Sequence, residues 1–99
     1  MISRVHWLLF HLSPGFKAKY KLIFDYKFHS YCFYRPVYGH TSIKFIDLFV
    51  VVRTSKRCFR LMYVNRTTAW VTYESFKTSQ ACATYMERMA DSVNNSTQV

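Results

Sequence analysis

Five cations, Arg53, Lys56, Arg57, Arg60 and Arg66, fall within one stretch of the chain that holds no acidic residue between its first and last member. Guanidinium groups present paired N–H donors in a fixed fork that matches phosphate oxygens and the acceptor edge of guanine. The chemistry open to such a cluster is recognition of a polyanion. Its members lie on and beside two polar stretches, 54–56 and 65–67, that read as turns between apolar runs. A two-stranded ribbon joined by a basic turn fits the major groove of duplex DNA. Lys19, Lys21 and Lys27 take odd-numbered positions of an earlier alternating segment and extend the same set. The expected binding residues for nucleic acid or an acidic partner are therefore Arg53, Lys56, Arg57, Arg60, Arg66, Lys19, Lys21 and Lys27. Against this stands the ordinary role of charges at turns, which is solvation, and of arginines on strand edges, which is to keep sheets from pairing. The clustering fits phosphate contact, whereas no base-reading motif is present.

Other chemistry finds little support. A general acid–base or nucleophilic site needs a nucleophile, a base and an orienting group in reach of one another. The five carboxylates are scattered, and the three cysteines and four histidines carry no local signature of a Cys–His pair. His29 and Cys32 have an H-x-x-C spacing, but a tetrahedral zinc site normally shows a second short pair, and none matches this one. With Gly15 and Gly39 as the only glycines, neither a P-loop nor a dinucleotide fingerprint can be written. No catalytic residue, metal or cofactor is expected. Tyr31, Phe33, Tyr34 and Tyr38, between Lys27, Arg35 and Lys44, offer a different contact. Exposed, they would stack on unpaired bases or anchor a protein interface; buried, they would simply fill the core.

The elements that must position these residues follow from periodicity. Ile2, Val5, Leu9 and Leu12 recur at helical spacing until Ser13, Pro14 and Gly15 stop the pattern, which predicts a short helix or, by length alone, a buried strand. From Lys19 to His29 the chain alternates, with Tyr20, Leu22, Phe24, Tyr26 and Phe28 on one face and only Ile23 out of phase, as a half-buried strand does. Residues 31–41, with Pro36 and Gly39, read as an aromatic-rich loop. Phe45 to Arg53 is dense enough for a central strand covered on both faces. Runs from Arg57 to Val64 and from Thr68 to Phe76 complete a three-strand meander. After Phe76 the period shifts to about 3.6. Thr78 can cap a helix whose apolar stripe is Ala81, Cys82, Tyr85, Met86, Met89 and Val93, with Thr84, Glu87, Arg88 and Asp91 opposite.

The predicted fold class is α+β: a three- or four-stranded antiparallel sheet, a C-terminal helix on one face and a short N-terminal helix or strand. A chain of 99 residues has room for one core, so residues 1–99 are expected to form a single small basic domain, with 1–18 able to sit outside the core and 94–99 a frayed tail. Hydrophobic residues at 51% place it far from the composition of disordered chains. The net charge of +9 is uneven: residues 1–44 carry seven Lys and Arg against one Asp, residues 45–73 five against one, and the remainder two against three. The last segment is not the electrostatic footprint. Cys32, Cys58 and Cys82 cannot all pair, which points to a reducing, cytoplasmic setting. The N-terminal apolar run is interrupted by His6 and His11, lacks a cleavage site, and is far shorter than a membrane span.

These features predict non-catalytic nucleic-acid binding through a basic hairpin. The rival expectation is a small interaction module, an inhibitor or assembly subunit, whose basic face docks on an acidic or nucleic-acid-like protein surface. Attachment to a membrane surface through the N-terminal face is the weaker expectation.

Overall fold

The computed structural model describes residues 6–25, 27, 30–37 and 45–97, with side chains described for residues 8–25, 27, 30–37 and 45–93. Its elements are α1 (His6–Leu9), α2 (Pro14–Lys19), β1 (Lys21–Asp25), β2 (Ser30–Pro36), β3 (Phe45–Ser55), β4 (Cys58–Asn65), β5 (Trp70–Phe76) and α3 (Ser79–Thr97). The strands form an antiparallel meander in the order β1-β2-β3-β4-β5, so each strand hydrogen-bonds its sequence neighbours. The fold is α+β as the periodicity predicts, with five strands rather than three or four.

The added strand is β2. Pro36 and the aromatic content favour a loop over residues 31–36, yet Tyr31 and Phe33 alternate with Cys32 and Tyr34 at period two. Pro36 ends the strand instead, at a register irregularity between Arg35 and Pro36 where its missing N–H costs the ladder little. Residues 38–41 lie outside the described residues. The expected strand from Lys19 to His29 is also shorter. Lys19 closes α2, Tyr20 is its C-cap, the strand proper is Lys21–Asp25, and Lys27 stands in the turn, its amide donating to Asp25 Oδ1 (2.9 Å). Tyr26, Phe28 and His29 fall outside the described residues.

Register fixes two faces. On the inner face, rows such as Phe24–Tyr31–Val51–Leu61 and Leu22–Phe33–Phe49–Tyr63 cross the strands. Helices cover this side, and Tyr31, Phe33, Phe49, Val51, Phe59, Leu61 and Tyr63 are buried there. On the outer face runs the row Ile23–Cys32–Val50–Met62–Tyr73. Among the described residues no helix or strand lies over it. The expectation that β3 is covered on both faces is corrected accordingly. It is central in strand order, but Leu48, Val50 and Val52 are only half-buried because one layer of helices covers only one face.

The helices explain the remaining core. In α3, Cys82, Ala83, Met86, Ala90 and Val93 are buried, at the spacing that lines one stripe, whereas Ala81 is exposed. Thr78 caps the helix as expected, its hydroxyl accepting from the Ala81 amide (3.1 Å). The helix continues through Thr97, so residues 94–97 extend it rather than forming a separate tail. Ser13 and Pro14, expected only as a stop, also start α2. The Ser13 hydroxyl accepts from the Phe16 amide (3.2 Å), and Pro14 occupies the first turn, where a missing N–H is harmless. Leu8, Leu12, Phe16 and Tyr20 are buried in the same cluster as the sheet and α3. The Ser13 amide also donates to Glu87 of α3, tying the start of α2 to α3 at the surface.

The N-terminal segment thus contributes Leu8, Leu12, Phe16 and Tyr20 to the core in this structure. Phe16 stacks on Tyr20 and meets Phe33 and Phe49. Phe16→Ala is expected to destabilise the chain by about 3–5 kcal/mol, the usual cost of emptying an aromatic core site. The midpoint of a urea titration followed by circular dichroism measures this, and a loss below ~1 kcal/mol would place α2 outside the cooperative unit.

Candidate functional site

The β3–β4 hairpin is the most basic part of the described sheet. Ser55 pairs with Cys58, leaving Lys56 and Arg57 as a two-residue turn. Neither turn residue has a positive φ, since Ala69 is the one non-glycine residue among those described that does. Turns with negative φ match the strand twist poorly. Here the register shift between Arg53 and Ser55 inserts Thr54 as an extra residue and absorbs the mismatch. Arg53 reinforces the bend: its guanidinium donates to the Ser55 and Lys56 carbonyls (3.3 and 3.4 Å) and lies over the Phe59 ring (5.4 Å). Among the described residues the ladder with β2 runs to Val52, short of the turn on that side.

Lys56, Arg57 and Arg60 are exposed, and among the described residues no carboxylate forms an ion pair with them. The β1–β2 turn holding Lys27 lies at the same end of the sheet, since Asp25 pairs with Ser30, Ser30 with Val52, and Val52 with Arg60. Of the residues expected to bind, the structure brings together Arg53, Lys56, Arg57, Arg60 and Lys27. It does not bring the others to them. Arg66 follows the far end of β4, seven strand steps or roughly 24 Å from Cys58, and lies over the Phe45 ring (5.2 Å). Lys19 and Lys21 also stand at that opposite end, where Lys21 pairs with Tyr34. They are exposed, but Lys19 belongs to α2 and does not share a strand face with Lys21. Spacing along the chain cannot show that an antiparallel strand carries residues eight apart to opposite edges.

A polar cluster that sequence reasoning missed lies at that far end. Asp47 is fully buried. Its Oδ2 accepts from the hydroxyls of Tyr20 and Tyr63 (2.8 Å each), and its Oδ1 accepts from Arg35 Nε (2.9 Å). Asn65 donates to the Tyr63 hydroxyl (3.1 Å) while its own Oδ1 accepts from the Thr67 and Thr68 amides, shaping the turn into β5. Arg35, expected to flank an exposed cationic groove, is instead spent internally on Asp47. The available signal was a lone acid inside an apolar strand, which demands a buried partner. Four elements meet at this carboxylate, but with its oxygens occupied and no exposure it has no reach to a substrate.

Burial raises the ionisation of both tyrosines above their ordinary value of 10.0, and the charge of Asp47 adds to the effect. Burial likewise pushes the Cys82 thiol up to about 12, and raises Cys32. All three thiols are free. Of the alternatives open for the aromatic residues, core filling holds for Tyr31 and Phe33, which are buried, while Tyr34 is half-buried on the outer face and Tyr38 lies outside the described residues. No group of three or more His, Cys, Asp or Glu able to hold a metal occurs among the described residues, and His29 lies outside them. Among the described residues, no helix is long and apolar enough to cross a membrane. No family model, curated protein or solved structure matches the chain.

Two outcomes follow from the buried cluster. Asp47→Asn should cost about 3–5 kcal/mol by leaving the Arg35 charge uncompensated, against about 1–3 kcal/mol for Tyr63→Phe, both read from urea unfolding. A tyrosine or thiol whose ionisation is raised on folding contributes stability that is complete below its unfolded value and lost as pH rises toward the folded one. Stability should therefore begin to fall above pH 9.0, the ordinary value for Cys82, and more steeply above 10.0, with Tyr63→Phe reducing the steeper part. Thermal melts from neutral to alkaline pH measure it, and a flat profile would contradict the assignment.

Proposed function

We propose that this chain binds nucleic acid, without catalysing a reaction, through the end of the sheet that carries the β3–β4 hairpin. The observation that carries this reading is the exposed hairpin tip. Lys56 and Arg57 sit at its apex and Arg60 follows on β4, all exposed and none held by a carboxylate among the described residues. Cations left unpaired on a body of net charge +9 generate an attractive potential for a phosphate backbone. Arg53, bound to the turn's own carbonyls, holds the apex in shape, and Lys27 widens the patch. A bent, twisted ribbon of two strands has the width to enter a duplex groove.

Absence of catalysis is part of the proposal. The one buried carboxylate described is saturated with donors, and the thiols of Cys32 and Cys82 are raised, away from the thiolate that a nucleophile requires. Three free cysteines also fit a reducing compartment, which makes the cytoplasm the proposed setting.

Gel-shift titration over a salt series tests the reading. Duplex or single-stranded nucleic acid should bind at low salt, with log K falling linearly against log salt. Lys56→Glu with Arg57→Glu should weaken binding by more than tenfold and lower the slope by about 0.9 for each phosphate no longer neutralised. Lys19→Glu and Lys21→Glu, at the opposite end, should change neither by more than a few-fold. Equal effects from the two pairs would remove the hairpin as the site. No binding at low salt would remove the ligand class and leave an acidic protein surface as the partner to test.

A further inference from the structure

We propose that the open outer face of the sheet is a homodimer interface, in which two copies of this chain pack sheet against sheet. The face is built for contact. Its central row, Ile23–Cys32–Val50–Met62–Tyr73, is flanked by Tyr34–Leu48–Val64–Val71. Tyr73 is 71% exposed, with Ile23 and Val71 at 47% and 44%, so three of the large apolar side chains left in water lie on this one side.

Five strands spaced ~4.8 Å apart and two apolar rows spaced ~6.8 Å give an apolar patch of roughly 24 by 14 Å, about 330 Å² in projection and within the range found on monomers. The third row, Asp25–Ser30–Val52–Arg60–Ser75, adds a mostly polar rim, and rim and patch together, about 500 Å² in projection, lie at the small end of specific interfaces. Sheets that pack face to face do so about 10 Å apart with nearly aligned strands.

Charge identifies the occupant as a second copy. The molecule carries +9, yet this face holds only Lys21, Asp25 and Arg60 as charged residues among those described. Two copies therefore meet where they repel least. Lys21 and Asp25 bracket Ile23 on the edge strand β1. A two-fold axis along the central row exchanges the two ends of every strand, so Lys21 comes opposite the partner's Asp25, and the reverse pair forms with it. Such an interface is isologous and closes at two subunits. The hairpin apex, with Lys56 and Arg57, lies beyond the end of the rows and outside the footprint, whereas Arg60 stands in the rim row at its border, so Lys56 and Arg57 are the positions that separate nucleic-acid binding from dimerisation.

Sedimentation velocity of the full chain, from ~1 to ~100 μM, should show a species of twice 11.9 kDa. At ~100 μM a dissociation constant of ~1 μM leaves little monomer. Raising salt from about 0.05 to 0.5 M should hold or strengthen the dimer, because screening relieves repulsion between two cationic bodies, whereas nucleic-acid binding falls over the same range. Tyr73→Lys, at a side chain that a monomer leaves in water, should weaken dimerisation at least tenfold with an unchanged circular dichroism spectrum, and Val50→Lys should do so at the centre. Lys21→Asp should weaken it several-fold, and Lys21→Asp combined with Asp25→Lys should restore it. A monomer at ~100 μM, or a dimer indifferent to both Tyr73→Lys and Val50→Lys, overturns the proposal; failure of the charge exchange to restore association overturns the two-fold pairing.

Discussion

A carboxylate with no exposure to water has to be matched donor for donor, and the far end of this domain is organised around meeting that demand at Asp47. Its hydrogen-bond partners come from the C-cap of α2, from β2 and from β4, so satisfying one side chain fixes the entry of the N-terminal helices and the register of three strands. Asn65 carries the constraint onward into the turn before β5, where Ala69 takes a left-handed backbone conformation. Breaking such a pair by removing one partner is far more damaging than replacing all its members with apolar residues. Its value to the fold is therefore specificity of arrangement more than net stability. A meander of half-apolar strands can slip, and a one-residue slip would carry Asp47 from its donors to the opposite face.

That constraint also divides the charge of the molecule. Arg35 is drawn inward, and the fold sends the eight cations expected to bind to two ends of the sheet. Lys27, Arg53, Lys56 and Arg57 collect at one end with Arg60 just behind, while Lys19, Lys21 and Arg66 collect at the other with the buried cluster. In the first set, Arg53, Lys56 and Arg57 stand on an exposed hairpin tip that the protein shapes with its own carbonyl contacts. The second lies beside side chains already engaged in holding the fold together. The proposed nucleic-acid surface is the first set alone.

The two faces of the sheet divide the apolar surface in a similar way. Three helices occupy the inner side with aromatic and aliphatic side chains from every strand except β5's exposed central part. Among the described residues no helix or strand lies over the outer side, yet that side keeps much of the apolar alternation of a buried one. The proposed second copy supplies the missing layer, turning a helix-and-sheet pair into a four-layer assembly with the sheets inside.

The sequence by itself determined the fold class, four of the strand and helix segments that carry it, the cap at Thr78, and the net positive charge, because local periodicity and capping chemistry depend on neighbours a few residues apart. It also placed Lys56, Arg57 and Arg60 on a hairpin. Tertiary structure decided the rest. Whether Tyr31 and Phe33 stack on a ligand or fill the core depends on which segment pairs with theirs. Whether Arg35 is a binding residue depends on an acid twelve positions away, and whether Arg66 joins Arg57 depends on the length of the strand between them. Each of these is a question about distance through space, and only the register of the sheet converts sequence separation into distance.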